Sequence, residues 1–314
     1  MQKPSRKIGL ILGSGSARGM CHIGVIRALE EIDIVPDIVV GCSVGALVGA
    51  SYLHGKLEQM EKWALSLNKR TIASYFDLNF SFHGFVKKER MQEFYQEHVC
   101  GPHKLISQMD KPFAAVACDL SSGEEVWLKH GQVLDAIWAS MSYPGLYPAY
   151  WHEERWLVDG GLVNPVPVSL AKSLGADVTI AVNLNADIAT SHELNEHVED
   201  TDHPVNVSNN VDDTFITKAK RNFRQVTSNW LSSDDDPDNG FEKPKVFDVI
   251  ASSINIMQDR LTRSRLVGDP PDIVLAPRLS EIGLLELYKA KDAIAEGEAC
   301  VKRLREEIDY RVNG

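Results

Sequence analysis

The residues Gly41-Cys42-Ser43-Val44-Gly45 fit the pattern G-x-S-x-G and lie between a strand pattern, Asp37–Gly41, and a helical one, Val44–Leu53. A serine on such a strand-to-helix turn is thrust out of the sheet beside a helix N-terminus, where backbone N–H groups favour developing negative charge. The turn forces a strained backbone, and side chains at Gly41 and Gly45 would clash there. Five residues match by chance in many proteins, so the flanking strand and helix are what make Ser43 a candidate nucleophile.

A second small-residue loop, Gly13-Ser14-Gly15-Ser16-Ala17-Arg18-Gly19, also joins a strand to a helix. Successive N–H groups in such a loop can cradle an anion. One use is a dinucleotide site, but its third glycine would fall at Arg18 and an acidic residue should close the next strand. That strand runs into the serine turn instead. The other use is an oxyanion hole, with Arg18 adding positive charge or anchoring the loop. The neighbouring serine turn favours this second use.

A serine nucleophile needs a base. Asp159 in Trp156-Leu157-Val158-Asp159-Gly160-Gly161 ends an apolar strand, and the two glycines after it leave room for a substrate. A carboxylate there can accept the serine proton directly. The same D-G pair also marks ordinary turns, so both readings stay open on these residues alone. The histidines show no pairing pattern: His192, His197 and His203 sit in an acidic stretch poor for positioning, and His22, His54 and His83 read as packing or surface residues.

These loops must be carried by regular elements. Strand patterns occur at Lys7–Leu12, Asp37–Gly41, Phe113–Asp119, Glu125–Lys129, Trp156–Asp159, Ala176–Leu184 and Asp272–Ala276. Helical patterns occur at His22–Ile32, Val44–Leu53, Val246–Leu266 and from about Leu284 onward. Alternating strands and helices predict a parallel or mixed sheet covered on both faces. The spacing predicts one domain over 1–314, with a polar, loop-rich insertion at about 185–245.

The chain has 314 residues, a net charge of −11 and no Lys/Arg-rich block, which argues against nucleic acid as a partner. Five cysteines without a C-x-x-C pair predict neither a disulfide framework nor a zinc site, and suit a reducing cytoplasm. The apolar run after the first basic residues is too short for a secretory signal, and no stretch approaches the ~20 apolar residues of a membrane span.

With these motifs in order, the chain resembles the patatin-like phospholipase family. A glycine-rich loop, a G-x-S-x-G turn and a D-G-G aspartate recur in sequence. Ala117-Cys118-Asp119-Leu120-Ser121-Ser122-Gly123 and Ala139-Ser140-Met141-Ser142-Tyr143-Pro144-Gly145 lie between them. Asp269-Pro270-Pro271-Asp272-Ile273 resembles the bacterial RssA-type branch, related to the catalytic domain of neuropathy target esterase. The resemblance implies a three-layer α/β/α sandwich with a mostly parallel central sheet. It implies a Ser43–Asp159 dyad without histidine, an acyl-enzyme intermediate, and a phospholipid or lysophospholipid substrate. Gly13, Ser14 and Gly15 would supply the oxyanion hole, supported by Arg18, Gly19, Gly41, Gly45, Gly160 and Gly161. No metal or cofactor is implied. Ser14 and Ser16 depart from the glycines frequent in the family.

Tyr143, Leu146 and Tyr147 are candidates to line the pocket or the core. Phe215–Trp230 reads as an amphipathic helix with a basic face, suited to peripheral membrane contact, to lidding the site or to ordinary packing. Two other function classes remain beside the hydrolase: a regulatory or scaffold protein that keeps the fold, and a nucleotide-binding oxidoreductase.

Overall fold

The computed structural model describes residues 6–75, 87–187 and 246–314. Most of the expected 185–245 insertion, the Phe215–Trp230 helix, and His83, His192, His197 and His203 lie outside the described residues.

Among the described residues eight strands form one mixed sheet: β1 (Ile8–Leu12), β2 (Ile38–Cys42), β3 (Phe113–Asp119), β4 (Glu125–Leu128), β5 (Tyr150–His152), β6 (Arg155–Asp159), β7 (Val178–Val182) and β8 (Ile273–Leu275). Their order is β5-β6-β3-β2-β1-β7-β8, with β4 paired to β3. The run β3-β2-β1-β7-β8 is parallel. β4, β6 and β5 add antiparallel pairs at one side.

The central strands read as unbroken apolar runs because both of their faces are covered. Every residue of β1, β2, β3 and β7 is buried. Alternate side chains go to opposite layers. Leu10, Leu12 and Val39 join one core with α1 (Cys21–Glu30), α2 (Val44–Leu53), α3 (Leu57–Ser66) and residues further along the chain. Ile11, Ile38 and Val40 face the other way, where Val168, Leu170 and Ala171 cover them. The result is a three-layer α/β/α sandwich.

Further helices are α4 (Lys69–Ser74), α5 (Lys88–His98), α6 (Val133–Ser140), α7 (Val168–Ser173), α8 (Val246–Gly268), α9 (Ala290–Arg303) and α10 (Arg305–Asn313). Sequence patterning assigns no helix to α3, α5 or α6 and no strand to β5. α5 is mostly polar and its apolar Met91, Phe94 and Tyr95 make a narrow stripe, while β5 has only three residues. The expected helix from Leu284 begins at Ala290. Leu284 itself stays in a loop, where its carbonyl accepts hydrogen bonds from the Ala17 N–H (3.2 Å) and the Ser16 hydroxyl (2.7 Å).

Candidate active site

Ser43 sits between β2 and α2 with φ 56° and ψ −124°, a region that side chains rarely adopt. Two glycines make the turn possible by space alone. A Cβ on Gly41 would collide with the backbone of Gly45 and Ala46, and one on Gly45 with the Leu12 carbonyl. The Ser43 N–H donates to Ser140 Oγ at 2.8 Å.

Sheet register brings the aspartate to the serine. Cys42 pairs with Val116, and Ala117 pairs with Asp159 on the other side of β3. The two loops therefore leave the sheet at the same level. Ser43 Oγ donates to Asp159 Oδ2 at 2.5 Å, a length typical of a hydroxyl on a carboxylate. The other oxygen, Oδ1, accepts the Gly161 N–H at 2.7 Å, and the Asp159 N–H donates to the Ser142 carbonyl at 3.0 Å. Gly160 lies against the Val116 carbonyl with no room for a Cβ, and Gly161 lies against the end of the Gln258 side chain.

Asp159 is fully buried, and burial pushes its carboxyl up to about 6, against the two hydrogen bonds that favour the anion. His22 is likewise buried. Its Nε2 lies 2.8 Å from the Gly13 carbonyl, and burial pulls its pKa down to about 4, so it is neutral at pH 7. No histidine hydrogen-bonds to Ser43 or Asp159 among the described residues.

The glycine-rich loop departs from the expected donor set. The Gly13 N–H is spent on the Val182 carbonyl (3.2 Å) and the Ser14 N–H on the Pro165 carbonyl (2.9 Å). An N–H committed in this way is not free for an oxyanion. Gly15 and Ser16 carry N–H groups with no hydrogen-bond partner among the described residues. Ser16 takes φ 51°, the left-handed region where glycine is at ease, and its hydroxyl is held by Leu284. Arg18 is buried. Its Nε donates to the Gly15 carbonyl at 3.3 Å and Nη2 to Asn255 Oδ1 at 3.4 Å, and burial lowers its pKa to about 10. It anchors the loop. Gly19 packs on Val44 too closely for any side chain.

Ser43 opens on a cavity of about 90 Å³, walled by Met20, Leu47, Leu67, Met91, Tyr143, Leu146 and Tyr147 among others. Nearly all of its lining is apolar. Two positioning residues escaped the sequence reading. Ser140 and Ser142 hold the backbones of Ser43 and Asp159, and the only sequence signal for them is their place in the Ala139–Gly145 segment. Among the described residues no group of three or more His, Cys, Asp or Glu could hold a metal ion, and no helix is long and apolar enough to cross a membrane.

A profile described as "Patatin-like phospholipase" matches residues 10–172. An uncharacterized NTE family protein of Mycobacterium tuberculosis is 32% identical over 97% of this chain and 93% of its own length. The lysophospholipase nte1 of Aspergillus fumigatus is 31% identical over 58% of this chain, which corresponds to 12% of that protein. The Coccidioides immitis lysophospholipase is 33% identical over the same shares. Together with the three-layer fold, these matches show that the chain belongs to the patatin-like phospholipase family and is a lipid ester hydrolase.

Proposed function

We propose that the protein is a serine phospholipase or lysophospholipase that works through a Ser43–Asp159 dyad and an acyl-enzyme. The observation that carries this reading is the 2.5 Å hydrogen bond from Ser43 Oγ to a buried Asp159, beside an apolar cavity.

In the first half-reaction Ser43 Oγ attacks the ester carbonyl carbon while its proton passes to Asp159 Oδ2. The carbonyl oxygen becomes an oxyanion, stabilised by the Gly15 and Ser16 N–H groups and the N-terminal end of α2. Collapse expels the alcohol, which takes the proton from Asp159. In the second half Asp159 takes a proton from water as that water attacks the acyl-serine. The fatty acid leaves and Ser43 recovers its proton. A carboxyl near pH 6 suits both roles, since its pKa lies close to neutral pH. The mainly apolar cavity takes the acyl chain, and the head group stays outside it. The five free, buried cysteines suit a reducing cytoplasm, with the enzyme meeting lipid at a membrane surface.

Hydrolysis of p-nitrophenyl esters and of a lysophospholipid by the wild type, Ser43→Ala and Asp159→Asn tests this, with folding followed by circular dichroism. Turnover by the wild type and a similar loss in both folded variants is expected, because the pair acts as a unit. Undiminished turnover by Ser43→Ala would sink the dyad. A wild type inert on every ester would leave a scaffold role as the better account.

A further inference from the structure

The cavity at Ser43 shares a wall with a second, outer space. Trp63 from α3, Tyr75 after α4 and Phe94 from α5 line both the cavity and a surface cleft of about 880 Å³. Ser43 borders only the cavity. The cleft is otherwise lined by polar and charged side chains, including Lys56, Lys62, Arg90 and Glu93. The three rings are thus a partition between an apolar interior and a wet exterior.

The partition is built to stay shut. Trp63 and Phe94 ring centroids lie 4.2 Å apart, and Tyr75 meets Trp63 edge-on at 6.2 Å. Trp63 Nε1 donates to the Tyr75 hydroxyl at 3.0 Å, which fixes the indole across the gap. Phe94 is stacked on His98 with centroids 4.8 Å apart. Aromatic side chains have few rotatable bonds and hold such positions at low entropic cost. Arg90 bonds Ser74 through the carbonyl and the hydroxyl, tying α5 to the chain beside Tyr75.

We infer that the Trp63–Tyr75–Phe94 partition is the chain-length stop of the acyl site: it ends the apolar cavity and sets the longest acyl chain accepted. A chain that starts at Ser43 gains from each methylene buried in the cavity. At the rings the gain ceases, because a further methylene must displace packed aromatic side chains or remain outside. Replacing a ring by a smaller apolar residue joins the cavity to the cleft and gives the chain somewhere to continue. This rests on the cavity at Ser43 being the acyl site, so its test includes a measurement that needs no hydrolysis.

Binding of straight-chain alkanols of about four to twelve carbons is measured by calorimetry on the wild type, Trp63→Leu and Phe94→Leu. Alkanols are neutral and avoid repulsion by Asp159. Wild-type affinity should rise about fourfold per methylene and then flatten at one length. In Trp63→Leu the rise should run on for about two further carbons, with those longer chains bound at least ~10-fold more tightly than by the wild type. Phe94→Leu reaches the same partition from another helix and serves if Trp63→Leu does not fold. A flattening at the same length in the folded variants, no flattening in the wild type, or no alkanol binding would each overturn the stop. Hydrolysis of p-nitrophenyl esters by the same proteins separates the two ideas. If the alkanol break moves but no ester is turned over, the stop stands and the hydrolase mechanism falls. If esters are turned over while the break stays in place, the mechanism stands and the stop falls.

Discussion

Ser43 Oγ and Asp159 Oδ2 touch at 2.5 Å although their strands, β2 and β6, are not neighbours: β3 runs between them. Two inter-strand spacings, ~10 Å of backbone, are bridged by one side chain from each side. Asp159 pairs with Ala117 on β3, and the neighbouring Val116 pairs with Cys42, the residue before Ser43. The contact between Ser43 and Asp159 is therefore set by strand pairing, and its neighbourhood supplies strain, charge and pH sensitivity that can be measured separately.

The strain lies at Ser43. Its φ of 56° with ψ −124° is adopted readily only by glycine. Ser43→Gly should therefore be more stable than Ser43→Ala by about 1–3 kcal/mol, and neither should turn over ester. Urea denaturation of the two variants compares them directly. Equal midpoints would show that the turn holds no such strain.

Asp159 should govern the acid limb of the rate profile. A general base must be unprotonated, and burial holds this carboxyl at about 6. The kcat/KM for a neutral ester should fall below pH 6, where an ordinary aspartate would keep it level down to about pH 4. A limb centred near 4 would show that Asp159 is not the group being titrated.

The same shift opposes stability. Between its unfolded value of 3.8 and about 6, the folded protein holds the Asp159 proton and the unfolded chain does not. Stability from this group is present below pH 3.8 and is lost as pH rises through 6, a cost of ~3 kcal/mol at neutral pH. Asp159→Asn removes the buried charge and keeps the shape. At pH 8 it should resist urea better than the wild type while being inactive, and a lower midpoint would refute the burial argument.

His22 pulls the other way. Its folded pKa of about 4 lies below its ordinary 6.5, so the unfolded chain takes up a proton first as pH falls through that window. Half-buried His54 is shifted in the same direction by its burial. Between about pH 4.5 and 6 the loss from His22 and the gain from Asp159 nearly cancel in the wild type. Asp159→Asn uncovers the histidines alone, so its stability should fall clearly across that range. Parallel pH curves for the two proteins would rule out the compensation.

Ser140 should act on the reaction through Ser43. It is buried, and its Oγ is the acceptor for the Ser43 N–H. Ser140→Ala leaves that N–H without its partner, at about 1–3 kcal/mol of stability. The serine turn then loses its fixed position, and kcat should drop about 10-fold to 100-fold with KM little changed. A rise in KM at constant kcat would indicate that Ser140 serves substrate binding instead.

The sheet was legible because its central strands are buried on both faces and therefore continuously apolar, as in Ile8–Leu12 and Phe113–Asp119. Motif spacing singled out Ser43 and Asp159, while their contact depends on register across β3, which no local pattern encodes. The donor set of the glycine-rich loop was misread for a similar reason. Whether the N–H of Gly13 is free depends on Val182, far along the chain, and on the sheet that brings the two together. α3 and α5 went unseen because amphipathic helices with one narrow buried stripe resemble polar surface chain, yet they carry Trp63 and Phe94. Ser140 and Ser142 carry no mark beyond their types, since their work is done by one hydroxyl and one carbonyl.

Those two serines lie on one short stretch of chain, and through them Ser43 and Asp159 hang from a common mount: Ser140 Oγ takes the Ser43 N–H, and the Ser142 carbonyl takes the Asp159 N–H. Proton transfer responds to the separation of the two side chains, not to where the pair sits in the molecule. Residues two apart in the chain thus each anchor one of the two backbones, so a displacement of Ser140–Ser142 acts on Ser43 and Asp159 together.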